Sequence, residues 1–207
     1  NEAAWLAARR DQNEVRQKDF NDALEKIVLG PERPLLLSHA DRERIAYHEG
    51  GHAILGLLVP GADPVHRVTI VPRGQALGYV RHHPRQDSYL YTKTVLEEQI
   101  MIALGGAVAE EIFYGGRSTG SKGDFDQATS IVRTMIESGM SELGIVHPQA
   151  LTQEQWSAEN AAILGGLTDK TRELLDRRKA SFKLLLNHLI SEETLSGKQL
   201  RDILSHQ

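Results

Sequence analysis

His48-Glu49-Gly50-Gly51-His52 places two histidines four residues apart, with a glutamate directly after the first. On a helix, positions i and i+4 project from one face a turn apart, so two imidazoles there can grip one metal ion. Zinc suits the spacing: imidazole nitrogen binds it at about 2.0–2.1 Å, and it lowers the pKa of bound water to about 7 and polarises a carbonyl. A carboxylate beside the first ligand, here Glu49, then takes the proton as water attacks that carbonyl. Chance is a poor source of the motif. With nine histidines and 17 glutamates in 207 residues, shuffling yields about 0.03 occurrences. The bland reading, a solvated helix face with two unrelated histidines, also leaves Gly50 and Gly51 unexplained, since each costs a helix interior about 1 kcal/mol. A close packing partner or an approaching substrate backbone accounts for them.

A catalytic zinc needs a third protein ligand and an open position. The chain has no cysteine, which excludes thiolate zinc sites, disulfide frameworks and cysteine nucleophiles and leaves only His, Asp or Glu. His66, His82 and His83 fall in a strand-and-loop region; His147, His188 and His206 lie far downstream in polar settings. The carboxylate candidates are Glu110 and Glu111 on a helix, and Asp124 and Asp126 after a glycine-rich loop. Spacing alone does not choose among these four.

The elements that must position these groups are mostly helical. Helical spacing covers residues 1–10 and Gln17–Val28, the latter with Phe20, Leu24, Ile27 and Val28 on one stripe, and Gly30-Pro31 stops it. A helix from His39 to Leu58 carries the metal motif. Val65–Val71 and Ala76–Arg81 read as strands around Pro72-Arg73-Gly74. Thr92 caps a helix over Val95–Phe113 that Gly115-Gly116 closes, and a further helix starts at Asp124 or Asp126. A looser stretch from Pro148 to Gly166 precedes a long helix from Thr168 with Leu174, Leu175, Phe182, Leu185, Leu186 and Leu189 inward. Ser196–Leu204 forms a short last helix. The expected fold class is mainly α, with a small β-sheet beside the active-site helix.

Composition bounds the rest. The chain is 40% hydrophobic and 25% charged, and 24 basic against 28 acidic residues leave a net charge of −4. That predicts a soluble globular chain and excludes a nucleic-acid binder resting on a basic field. The longest apolar stretch, Ala53–Pro60, is far short of the roughly 20 residues that span a bilayer. The Gly115–Lys122 segment imitates a phosphate-binding loop, but its Lys follows Ser121 rather than Gly120 and no strand precedes it. This chain by itself is therefore not expected to hydrolyse ATP.

Longer stretches carry a resemblance. Ala46–Ala53 around the metal motif, Asp63-Pro64-Val65-His66-Arg67-Val68-Thr69-Ile70-Val71-Pro72-Arg73-Gly74, Ala109-Glu110-Glu111 and Ser118-Thr119-Gly120-Ser121-Lys122-Gly123-Asp124-Phe125 together resemble the peptidase domain of the FtsH family. These are membrane-anchored, ATP-dependent zinc metalloproteases. The resemblance implies one zinc held by His48, His52 and Asp124, the aspartate after the loop, with Glu49 as general base. It makes residues 1–32 a C-terminal remnant of the AAA+ helical subdomain and 33–207 the zinc metallopeptidase domain. It further implies ATP used by an ATPase module outside this chain, a homo-hexamer of the full-length protein, and unfolded or membrane proteins as substrates. The anchor would hold the peptidase domain on the cytoplasmic side of a bacterial inner membrane, or its organellar equivalent. The sequence departs from the family at Gly50, where Ala is usual, at Lys122-Gly123, and at Ala107, where an Arg commonly follows the glycine. Two competitors remain: a non-catalytic scaffolding domain of the same fold, and a zinc hydrolase of another class using Glu110 or Glu111.

Overall fold

In the computed structural model, residues 1–83 and 89–205 are described. Eight helices among them carry the chain: α1 (Glu2–Arg9), α2 (Gln17–Leu29), α3 (His39–Leu58), α4 (Lys93–Tyr114), α5 (Lys122–Glu137), α6 (Gln153–Arg177), α7 (Lys179–Glu192) and α8 (Gly197–Ser205). Three short strands, β1 (Val65–Thr69), β2 (Tyr79–His82) and β3 (Thr194–Ser196), form one antiparallel sheet in the order β2-β1-β3. No helix among the described residues is long and apolar enough to cross a membrane.

The α3 helix starts where the Ser38 hydroxyl accepts the Asp41 N–H at 3.0 Å, and it stops before Pro60. Its second half is buried on every side, from Ala46 and His48 through Gly56. Such a helix must be enclosed, and α4, α7 and β1 enclose it, with α5 and α6 packing on α4 and α6 also reaching α3. Phe182, Leu185, Leu186 and Leu189 of α7 join Ile54 and Leu55 of α3 in the core.

The motif glycines mark where α3 meets its neighbours. A Cβ on Gly51 would stand 2.3 Å from the Gly105 carbonyl oxygen of α4, and one on Gly105 would stand 2.8 Å from the Gly51 oxygen. Backbone meets backbone at this crossing, which is the close packing partner the paired glycines call for. Gly50 faces side chains instead, the ends of Leu186, Phe182 and Leu185 at 3.0, 3.1 and 3.5 Å.

Four expectations change. The α2 stripe exists but faces outward: Phe20, Leu24, Ile27 and Val28 are exposed, while Asp19, Asp22 and Glu25 are buried. Arginines reverse the face, because Arg10 pairs with Asp19 and Asp22, each at 2.6 Å, and Arg67 pairs with Glu25 at 2.8 Å. The region before Thr168 is not loose. A capping box between Thr152 and Gln155 starts α6 at Gln153, and Gly165-Gly166 lie inside it, open to solvent, at a propensity cost that packing on α4 offsets. The long C-terminal helix is two helices broken at Arg178, whose backbone leaves the helical region. A third strand, β3, pairs with β1 (Val68 opposite Leu195), and the Thr69 and Thr194 hydroxyls lie 2.7 Å apart.

Gly51→Ala is expected to lower unfolding free energy by about 3 kcal/mol, since neither backbone can yield. For Gly50→Ala, helix propensity offsets a small repacking, and the change stays within about 1 kcal/mol. Urea unfolding of both variants checks the contrast.

Candidate metal centre

His48 and His52 reach from α3 toward Asp124, in the first turn of α5. Their Nε2 atoms are 3.1 Å apart, and Asp124 Oδ2 lies 3.0 Å from that of His48 and 3.6 Å from that of His52. Three ligands at about 2.0–2.1 Å on tetrahedral directions stand roughly 3.3 Å from one another, so this donor set fits a zinc ion. Among the described residues, these three are the group of His, Asp and Glu side chains close enough to share a metal.

The rings are held from behind. His48 Nδ1 lies 2.9 Å from Glu110 Oε1, and His52 Nδ1 lies 2.7 Å from the Ile102 carbonyl oxygen. With each Nδ1–H donated backwards, each Nε2 lone pair turns toward Asp124. Gly106 sits between Ile102 and Glu110 on the same face of α4, and a Cβ there would meet the His48 and His52 rings at 2.6–2.7 Å. Glu110 is itself fully buried, with Arg44 at 3.0 Å and the Ser118 hydroxyl donating to it at 2.9 Å. Spacing admitted Glu110 as a ligand; the fold instead sets it behind His48. The roles of Ile102, Gly106 and Ser118 escape sequence reading, although the Ile102–Gly106–Glu110 spacing of four hinted at one shared face.

The remaining candidates are elsewhere. Glu111 pairs with Arg117 and Arg172, and Asp126 is exposed. His66 accepts from Arg81 at 2.9 Å, His147 caps a short turn, and His188 pairs with Glu192 at 3.0 Å. His82 lines the cleft, with its Nδ1 on the Asp63 carbonyl at 2.8 Å. His206 lies outside the described residues.

The centre opens into a cleft of about 800 Å³ bordered on one side by Gln75–Val80. Glu49 lines it, buried, and the bare backbone of Gly78 stands against it: a Cβ there would be 2.7 Å from Glu49 Cγ. Burial raises the Glu49 carboxyl above the ordinary range, against the pull of the two histidines. Burial opposes a charge on His48, but hydrogen bonds to Asp124 and Glu110 outweigh it and raise the imidazole to about 10. Hydrogen bonds to His48 and His52, with their charges, overcome burial at Asp124 and hold it well below the usual carboxylate range.

Known proteins share this chain's pattern. The model of peptidase family M41 matches residues 35–162. The chain is 49% identical to an ATP-dependent zinc metalloprotease FtsH of Syntrophus aciditrophicus over 97% of its own length and 30% of that protein. It is 45% identical to one of Thermobaculum terrenum over 98% of this chain and 35% of that protein. With the one of Bacillus subtilis it shares 36% identity over 100% of this chain and 36% of that protein. The chain thus spans about a third of the length of the curated relatives it matches.

Three outcomes follow from this geometry. A raised His48 pKa contributes stability that is complete below about pH 6.5 and is lost as pH rises through about 10, so chelator-treated protein should melt progressively lower across that window. Zinc added at pH 7 must displace that proton, and calorimetry in buffers of different ionisation enthalpy should count about one released per ion. Glu110→Gln, which removes the charge behind His48, should weaken zinc binding by about 10–100-fold in a competition titration.

Proposed function

The chain belongs to peptidase family M41, and from that premise we propose that it is a zinc endopeptidase domain, with His48, His52 and Asp124 holding the metal and Glu49 as general base. The observation that carries the reading is the convergence of three ligating atoms beside a buried carboxylate at the floor of an open cleft. Bound there, zinc supplies Lewis acidity, acidifying water and polarising a peptide carbonyl.

The chain's own groups do the remainder. Among the described residues the outer edge of β2 is unpaired, and Gly78–Val80 border the cleft, so an extended substrate can add alongside this segment by main-chain hydrogen bonds. Gly78, having no side chain, lets this wall lie directly against Glu49. The Glu49 carboxylate accepts the proton of the attacking water and returns it to the departing amine; burial raises its basicity toward neutral pH, as a general base requires. Glu110 and the Ile102 carbonyl fix the rings throughout.

Beyond this domain, residues 1–32 are read as the end of an AAA+ helical subdomain and 33–207 as the peptidase. The start of the family match at residue 35, just past α2, supports that division. In the full-length protein, an ATP-consuming ring of six copies would deliver unfolded or membrane proteins, and a membrane anchor outside this chain would hold the assembly with its peptidase side toward the cytoplasm or organellar equivalent.

Metal analysis combined with casein digestion tests the proposal. Wild type should carry one zinc and cleave; Glu49→Gln should keep the zinc and lose activity by about 10²–10⁴-fold. Asp124→Asn should lose zinc affinity, and retention of full affinity overturns the third-ligand assignment. A metal-free, inert wild type supports the scaffolding alternative instead. Leu77→Pro, on the cleft-bordering segment, should suppress cleavage with zinc retained; unchanged cleavage overturns the strand-addition assignment.

A further inference from the structure

Glu25 of α2 is buried, 2% exposed, and lies at the centre of three arginines from the sheet side. Arg67 Nη1 is 2.8 Å from its Oε1, Arg81 Nη1 is 3.7 Å from the same oxygen, and Arg73 Nη2 is 3.7 Å from Oε2. The Tyr79 hydroxyl also lies against it, and burial, a hydrogen bond to Glu25 and the Glu25 charge keep it protonated well above the usual phenol range. Glu25 Oε2 and Arg81 Nη1 are buried without a hydrogen-bond partner. A buried carboxylate among arginines with so few hydrogen bonds is a poor stabiliser, because desolvation offsets most of the Coulomb gain.

What these partners have in common is position. Arg73, Tyr79 and Arg81 bracket Gly78, whose backbone stands against Glu49, and Gln75–Val80 are the wall of the cleft. The segment after α2 grips the same wall through its backbone. Arg33 N–H donates to the Pro72 carbonyl at 2.9 Å, and Gly74 N–H donates to the Pro31 carbonyl at 3.1 Å. Gly74 has a φ of +52°, and a Cβ on it would stand 2.1 Å from the Leu29 carbonyl oxygen. Thus the end of α2 is pressed onto the turn from which the wall begins.

We infer that Glu25 is a positioning residue, through which the α1–α2 hairpin sets the height of the Gln75–Val80 wall over the cleft and so its affinity for an extended peptide. The inference rests on the peptidase reading above. It differs from a purely structural role in what it moves: substrate binding changes, while the metal and the base do not. A shift of α2 along its axis would carry Glu25 between its arginine partners and tilt the wall, coupling whatever the hairpin is attached to with the peptide site.

The test uses the zinc-loaded 207-residue chain and a fluorescein-labelled, casein-derived decapeptide. Its Kd is read by anisotropy in a Glu49→Gln background, and KM and kcat are read with Glu49 intact. Glu25→Gln should raise Kd and KM about tenfold with kcat within about twofold and zinc stoichiometry unchanged. Tyr79→Phe, which removes only a hydroxyl, should raise Kd about threefold and remains readable if Glu25→Gln fails to fold. Unchanged Kd in a folded Glu25→Gln, or in Tyr79→Phe, overturns the inference, as does a loss confined to kcat with zinc released. A parent chain that binds the peptide but never cuts it overturns the peptidase reading alone.

Discussion

The contact on which the metal centre depends is between two backbones. Where α3 crosses α4, Gly51 and Gly105 leave no room for even a methyl group between them. Everything at the metal centre is measured from that contact. It brings the Ile102 carbonyl and the Glu110 carboxylate within hydrogen-bond distance of the two imidazoles, and it lets the bare Gly106 backbone pass beneath their Nε2 edges. A helix pair held apart by side chains at the usual 8–10 Å would leave both rings free to rotate. The glycines' propensity cost is therefore offset by orientation of the ligands, and α4 acts as a template for groups it does not itself supply.

Much of this was readable in residue order. The His-Glu-x-x-His spacing points to a metal without any fold, and the awkward Gly50-Gly51 pair points to a close neighbour. What order could not supply was which of four carboxylates completes the centre, because Glu110 and Asp124 come near His48 from different helices. Only the direction of approach separates them: one reaches Nδ1 from behind, the other Nε2 from the front. Similarly, β3 has too few residues to show a period of two, and it forms because β1 offers it an edge. The break at Arg178 leaves the apolar spacing on either side in phase, so the stripe reads as one helix.

The α2 helix is the instructive exception. Its apolar residues have helical spacing, yet the fold buries the opposite, acidic face. Hydrophobic periodicity identifies a helix reliably but names its inner face only when the neighbours are apolar. Here the neighbours are Arg10, Arg67, Arg73 and Arg81, and charge pairing decides the rotation. The price is an outward stripe of Phe20, Leu24, Ile27 and Val28 that contributes nothing to this chain's core.

The pairing of β1 with β3 has a consequence in time as well as in space. Thr69 and Thr194 are 125 positions apart, so the sheet beside the cleft is completed only after α4 to α7 have left the ribosome. Until they arrive, the β-hairpin has two open edges and α3 lacks the α7 cover that Phe182 and Leu186 provide. Contacts of such long sequence separation form slowly, since the intervening loop must first be closed. A half-made copy thus has its two motif histidines and Glu49 early but its finished sheet only 125 residues later, so topology alone separates the arrival of the chemical groups from the completion of their surroundings.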